Sequence, residues 1–296
     1  MPHPIPPIHS DHSYKNTLII EGGAMRSVFS AGLLDGFLEK NFNPFDAYLG
    51  VSAGACNLVN YLAGKRGRSL NIFLEVSKRP EFINLRRFLM GGHLLDMDWL
   101  FEQVIQHEIA PSALLARGNK PLLICATDVA TGEAIYMEAQ SDQLLNSLKA
   151  SMALPLIYRS FPLVQQRAMV DGGVSDAIPI HEAIRRGAQR IMVVRSRPRS
   201  YVKQDSLGHR YIRWKMRHYP HLVQTMKKRV QKHADITKLL ASPPEGVEIM
   251  DVCPPDEYRM GRFGSQQKQL LYGYHAGLAE AERSIAQWQS SKMSGW

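Results

Sequence analysis

Two hydrophobic periods alternate along the chain. Thr17-Leu18-Ile19-Ile20 is a continuous β-branched and apolar run, the pattern of a strand buried on both faces, and it opens into Glu21-Gly22-Gly23-Ala24-Met25-Arg26-Ser27. Val28, Phe29, Leu33, Leu34, Phe37 and Leu38 then recur at helical spacing. Phe45 to Leu49 predicts a second short buried strand, and Ala53 to Leu62 a helix that begins on small residues. A helical region follows from about Leu70 to Glu108, interrupted at Gly91-Gly92. Pro121 to Val129 reads as a strand, Thr131-Gly132 as a turn, and Ala134 to Met137 as the return strand of a hairpin. A helix from Asp142 to Met152, capped by Ser141 or Asp142, ends before Pro155. Ala168-Met169-Val170 predicts a short strand, Pro179 to Gly187 a helix, and Ile191 to Val194 another buried strand. Helical stretches near Leu207–Arg217 and Leu222–Leu240, a break at Pro243-Pro244, a strand at Val247–Val252 and a helix at Gln266–Gln287 complete the chain. The alternation predicts an α/β sheet with helices on both faces, which the last strand would rejoin.

Composition narrows this picture without changing it. The 296 residues suit one large α/β domain or two modest ones, and 45% hydrophobic with 21% charged residues is ordinary for a globular chain. Cys56, Cys125 and Cys253 are isolated and odd in number, which argues against a disulfide framework or a zinc site, and no metal or cofactor is expected. The Pro- and His-rich first residues, without an apolar core, read as a flexible arm over 1–16, and no apolar run approaches the ~18 residues of a membrane span. The expectation is a cytoplasmic protein. Its net charge of +9 is concentrated: Arg195 to Lys238 holds thirteen Lys/Arg against two Asp, whereas the remainder holds 23 basic and 25 acidic residues.

The candidate chemistry centres on Gly50-Val51-Ser52-Ala53-Gly54, a G-x-S-x-G set between strand and helix. That is the form of a nucleophile elbow, in which a sharp turn exposes a serine and the helix N-terminus directs N–H groups toward an oxyanion. Glu21 to Ser27 is a second strand–glycine–helix junction. It fits neither G-x-G-x-x-G nor a phosphate P-loop, which leaves an oxyanion loop as the better reading. Eleven histidines invite a Ser-His-Asp triad, but only one strand precedes Phe45, and no histidine follows a strand end convincingly. The other candidate base is Asp171, placed after an apolar strand and before Gly172-Gly173. An ordinary Asp pKa near ~3.9 is low for this work at pH 7, so such a base gains from desolvation.

Taken together, these segments resemble the patatin-like phospholipases, and most closely their small bacterial cytosolic members. The resemblance runs from about Thr17 to Ser196. It is carried by the first glycine loop, the elbow, Ala126 to Glu133, Ala150 to Pro155, and Val170 to Pro179. It implies a three-layer α/β/α fold with a mainly parallel sheet, extended here by a basic helical C-terminal part. It implies a Ser-Asp dyad without histidine, Ser52 as nucleophile and Asp171 as general base, with an oxyanion hole from the N–H groups of Gly22, Gly23, Ala24 and Ala53. Arg26, Gly50, Gly54, Gly172 and Gly173 flank these positions in the shared motifs. The chain departs from the family at Ala24 and Ser27, where glycine is usual; a positive φ at residue 24 would cost alanine on the order of 1 kcal/mol. Arg26 has three readings: anchoring the loop, meeting a phosphate, or forming a surface salt bridge.

These observations divide the chain into an arm (1–16), a catalytic core (17–195), and a basic helical segment with a strand and terminal helix packed on that core (196–296). The expected activity is hydrolysis of fatty-acyl esters of phospholipids or lysophospholipids through an acyl-serine, without calcium. A soluble carboxylesterase or thioesterase and a catalytically weak anionic-lipid binder are the alternatives. Basic residues interleaved with aromatics over 195–238 suit peripheral contact with an anionic membrane, at the inner surface for a cytoplasmic protein; nucleic acid is the weaker partner.

Overall fold

The computed structural model describes residues 14–105, 120–140, 142–263 and 266–291. The expectations for residues 1–13, for 106–108 and for a cap at Ser141 fall outside those ranges. In chain order the main elements are β1 Asn16–Ile20, α1 Val28–Glu39, β2 Ala47–Val51, α2 Ala53–Leu62, α3 Arg68–Val76, β3 Leu122–Asp128, β4 Ala134–Glu138 and α4 Leu144–Met152. They continue as β5 Leu163–Val164, β6 Arg167–Asp171, α5 Ile180–Arg185, β7 Arg190–Val194, α6 Leu207–Lys215, α7 Pro220–Ala241, β8 Glu248–Val252 and α8 Gln267–Ser291.

The sheet runs β5-β6-β3-β2-β1-β7-β8, with β4 also on β3. The five strands β3, β2, β1, β7 and β8 are mutually parallel, while β4, β5 and β6 add antiparallel pairings at one side. Alternate residues of the parallel strands feed two cores. Leu18, Ile20 and Tyr48 face a cluster with α1, α2, α4 and α8, whereas Ile19, Leu49, Ile191 and Val193 face a cluster with α5 and the end of α7. Helices on both faces are what an apolar parallel sheet requires, and they make the three layers. β8 rejoins the sheet beside β7, so the basic helices α6 and α7 form an excursion between two adjacent strands.

The tightest helix packing is between α1 and α8. A Cβ at Gly32 would stand 1.9 Å from Tyr274 O, and one at Gly277 2.0 Å from Phe29 O, so glycine on both helices permits backbone contact. The expected helix over 70–108 is broken more often than the sequence suggested. Beyond α3 it consists of short turns at Leu85–Leu89 and Met97–Leu100, the latter continuing as a π-helical turn over Phe101–Ile105. The two-residue strand β5, which pairs with β6, is too short to leave a hydrophobic period.

Candidate active site

Register along β3 explains why Ser52 and Asp171 meet. β2 pairs with β3 up to Val51↔Cys125, and β6 pairs with β3 from Ala126↔Asp171 onward. β4 overlaps both partners along β3, so it occupies the opposite edge. β2 and β6 therefore share one edge, arriving from opposite directions, and the residue after Val51 abuts the last residue of β6. Ser52 and Asp171 are 8% and 5% exposed at the base of one cleft.

Ser52 caps the N-terminus of α2 at φ 54°, ψ −132°, a sparsely populated conformation whose cost is of order 1–3 kcal/mol. The turn is held from both sides. Ser52 N–H donates to Ser151 Oγ (2.8 Å), and Ser151 Oγ donates to Cys125 O (2.5 Å). Asp171 N–H donates to Ala153 O (2.8 Å), so the end of α4 fastens both members of the pair. A Cβ at Gly50 would lie 2.5 Å from Ala55 Cα, and one at Gly54 2.7 Å from Ile20 O; the elbow's glycines serve close packing.

Asp171 is anchored by two donors. Its Oδ1 accepts from Gly173 N–H (2.8 Å), and its carbonyl accepts from Thr127 Oγ1 (2.9 Å), which in turn pairs with Ser175 Oγ (2.7 Å). A Cβ at Gly172 would overlap Cys125 O at 2.2 Å. Asp171 Oδ2 is enclosed without a partner of hydrogen-bond geometry, and the nearby Ser52 hydroxyl stabilises the carboxylate only in part. Burial dominates and raises the carboxyl pKa above its ordinary value, opposed by Ser52, Arg262, Gly173 N–H and Arg229. A raised pKa makes the carboxylate a better proton acceptor at neutral pH.

The first glycine loop lies directly over this pair. A Cβ at Gly22 would stand 2.6 Å from Val51 O and 2.7 Å from Ser52 Cβ, and one at Gly23 2.7 Å from Ser196 Cβ. Among the described residues no acceptor meets the N–H groups of Gly22, Gly23 or Ala24. Ala53 is the first residue of α2, where N–H has no intrahelical partner. Ala24 has φ 51°, so alanine does occupy a left-handed position. Arg26 is 4% exposed and forms no ion pair among the described residues, which overturns the surface-salt-bridge reading. The loop is tied to later chain: Ser196 N–H donates to Glu21 Oε2 (2.7 Å), Met25 N–H to Arg262 O (3.4 Å), and Tyr258 hydroxyl to Arg26 O (2.8 Å).

Two cavities meet at Ser52, Ala24, Leu154 and Arg262. One, about 720 Å³ including the space that opens to solvent, is apolar, walled by Ile72, Phe73, Val76, Phe82, Leu95 and Met152 among others. The other is a cleft of about 1200 Å³ open to solvent, whose far wall is the loop before α6 together with α6 and α7. His209 and His233 line that cleft, but among the described residues no histidine hydrogen-bonds Ser52, and burial lowers the pKa of both. Neither Lys203 nor Arg262 carried a signal in the sequence, and Ser151 stood out only as part of the Ala150 to Pro155 segment. For Arg229 a signal existed: it falls three residues after Met226, on the stripe Leu222, Met226, His233 and Ile236 by which α7 faces the core. No group of three or more His, Cys, Asp or Glu among the described residues is arranged to hold a metal ion.

A family model described as patatin-like phospholipase matches residues 18–184, and one described as a domain of unknown function (DUF6363) matches 219–292. The chain is similar to the uncharacterized protein YjjU of Escherichia coli (strain K12), 32% identical over 88% of this chain and 74% of the relative. It is also similar to a probable lipid hydrolase, 463L, of Invertebrate iridescent virus 6, 27% identical over 58% of this chain and 64% of that protein. Among solved structures, VipD from Legionella pneumophila aligns at a TM-score of 0.43 and 11% identity over 93% of this chain and 67% of its own, too loosely to carry an argument.

Proposed function

Because the chain belongs to the patatin-like phospholipase family, we propose that it hydrolyses fatty-acyl esters of phospholipids or lysophospholipids with a Ser52–Asp171 dyad. The supporting observation is the placement of this pair where an apolar cavity and a cationic cleft meet, the arrangement an amphiphilic ester needs. Ser52 Oγ attacks the acyl carbonyl while its proton passes to Asp171 Oδ2. The N–H groups of Gly22, Gly23, Ala24 and Ala53 receive the oxyanion. Collapse expels the alcohol, which takes the proton from Asp171 and leaves an acyl-serine. Water then attacks the acyl carbon while giving a proton to Asp171, which passes it to the departing Ser52 Oγ as the fatty acid is released. Alanine at position 24 keeps its N–H, so the departure from glycine costs conformational energy and not a donor.

The substrate surface is also readable. Leu207, Tyr211 and Trp214 of α6 are exposed, Leu207 at 79%, and the basic groups of Lys215 and Arg217 lie over the Trp214 ring at 4.9 and 5.1 Å. Leu85, Leu89 and Met90 are exposed as well. Aromatic and aliphatic side chains mixed with cations suit peripheral contact with an anionic bilayer. No helix among the described residues is long and apolar enough to cross a membrane. Release of fatty acid from mixed anionic liposomes without added calcium, by wild type but by neither Ser52→Ala nor Asp171→Asn, is the expected result. A wild type that neither hydrolyses nor reacts with a fluorophosphonate at Ser52 would refute the assignment.

A further inference from the structure

The cleft is lined by seven Lys/Arg side chains and three carboxylates. The carboxylates are already engaged: both oxygens of Asp205 accept from Arg213 (2.8 and 2.7 Å), Glu21 Oε2 accepts from Ser196 N–H, and Asp171 Oδ1 from Gly173 N–H. Among the described residues Arg26, Lys203, Arg229 and Arg262 have no ion-pair partner, and Arg26 Nε, Arg26 Nη1 and Arg229 Nε are enclosed without an acceptor. Guanidinium groups removed from water side by side repel one another and lose hydration, a cost that an anion shared among them offsets.

Two of the cluster's cations lie on chain tied to the core. Arg229 sits on α7, which is fastened to the core where Lys232 Nζ donates to Ser175 O (2.9 Å) and Thr225 Oγ1 to Gly132 O (2.8 Å). Arg262 follows the Tyr258 contact with the glycine loop. Lys203 is held down to about 7 by burial and by the nearby Arg229, and an anion in the cleft would restore its proton.

We propose that Lys203, Arg229 and Arg262, all beyond the residues 18–184 matched by the patatin-like model, close with Arg26 a binding site for the phosphate group of the acyl-ester substrate. The site selects a phosphate monoester over a head group that carries its own cation. Several cations converging from different elements match a tetrahedral group with three free oxygens and a charge of roughly −1.5 to −2 at pH 7. A choline or ethanolamine would instead place a cation against this wall. The C-terminal segment then sets which ester enters, with the acyl chain in the apolar cavity on the other side of Ser52. The inference rests on the hydrolase reading, and the experiment separates the two.

Hydrolysis of short-chain phosphatidic acid, the matching phosphatidylcholine (both monomeric in solution, so that no charged surface intervenes) and p-nitrophenyl butyrate is compared for wild type, Lys203→Met and Arg229→Gln. Wild type is expected to favour phosphatidic acid in kcat/KM by tenfold or more, and each variant to cut that preference roughly tenfold. Inorganic phosphate should raise the melting temperature of wild type and of Ser52→Ala, and less so that of either cation variant. Equal turnover of the two phospholipids by a wild type that cleaves p-nitrophenyl butyrate overturns the inference. A phosphate-dependent melting shift without head-group preference assigns the site to free phosphate and overturns it too. If no ester is cleaved, the melting shift alone decides whether the phosphate site stands, and the hydrolase reading falls if Ser52 also fails to react with a fluorophosphonate.

Discussion

Ser151→Ala tests the mechanical basis of the elbow. Ser151 Oγ is the acceptor for Ser52 N–H and the donor to Cys125 O, and all three residues are buried. Alanine removes the bridge and leaves a buried donor and a buried acceptor without the hydroxyl that joins them. An unsatisfied buried group costs about 1–3 kcal/mol, and Cys125 O retains a second lone pair, so the Ser52 N–H should dominate the loss. For a domain of 150–250 residues each kcal/mol lowers the melting temperature by about 2–4 °C, and the shift in this longer chain belongs near the low end of that range. A loss of roughly 2–8 °C is therefore expected. Ser52 is held at φ 54° by this bond and by packing, so its release should also displace Oγ relative to Asp171 and lower kcat for p-nitrophenyl butyrate more than it raises KM. Repeating the melt in a Ser52→Ala background separates structure from chemistry. The backbone donor is still present there, so the same loss should appear. A Ser151→Ala protein with unchanged melting temperature and unchanged kcat would refute the bridge.

Two further substitutions probe the dyad and the loop. Asp171→Asn should lower kcat by about 10²–10⁴ yet stabilise the fold at pH 7. The folded-state carboxyl pKa is raised above 3.8, so the fold gains from its protonation below that value and loses the gain as pH rises through the folded pKa; the melting advantage of the variant should shrink toward pH 4. Ala24→Gly removes a left-handed alanine, a gain of order 1 kcal/mol, but restores about 0.4–1 kcal/mol of unfolded-chain entropy. The melting temperature should move little, and kcat should stay within about threefold because the N–H donor is unchanged. A large rise in kcat would instead show that the substituted loop limits turnover.

What could be read without the fold follows from the range of the forces involved. The strands β1, β2, β3 and β7 announce themselves because a parallel strand covered on both faces must be apolar at nearly every position, as in Leu18-Ile19-Ile20 and Ile191–Val194. β8 is the edge strand and carries Glu248 and Asp251, so only Ile249, Met250 and Val252 mark it. The pairing of β6 with the free end of β3 was not legible. It depends on β2 stopping at Val51, on β4 taking the other edge, and on a two-residue β5, none of which leaves a periodic trace. Ser52 and Asp171 were legible as motifs, while the reason they touch is topological. The basic segment divides in the same way. Composition reports that cations are concentrated over 195–238, but it takes the helical spacing from Leu222 and Met226 to turn Arg229 inward while Lys228 stays exposed. Arg262 lies outside that segment altogether, and reaches the cleft because Tyr258 docks on Arg26 O. A net charge is therefore a poor guide to a binding site. The cations that matter are those whose backbone is fastened to the core and whose nitrogens are left without acceptors, and these come from three separate stretches of the chain.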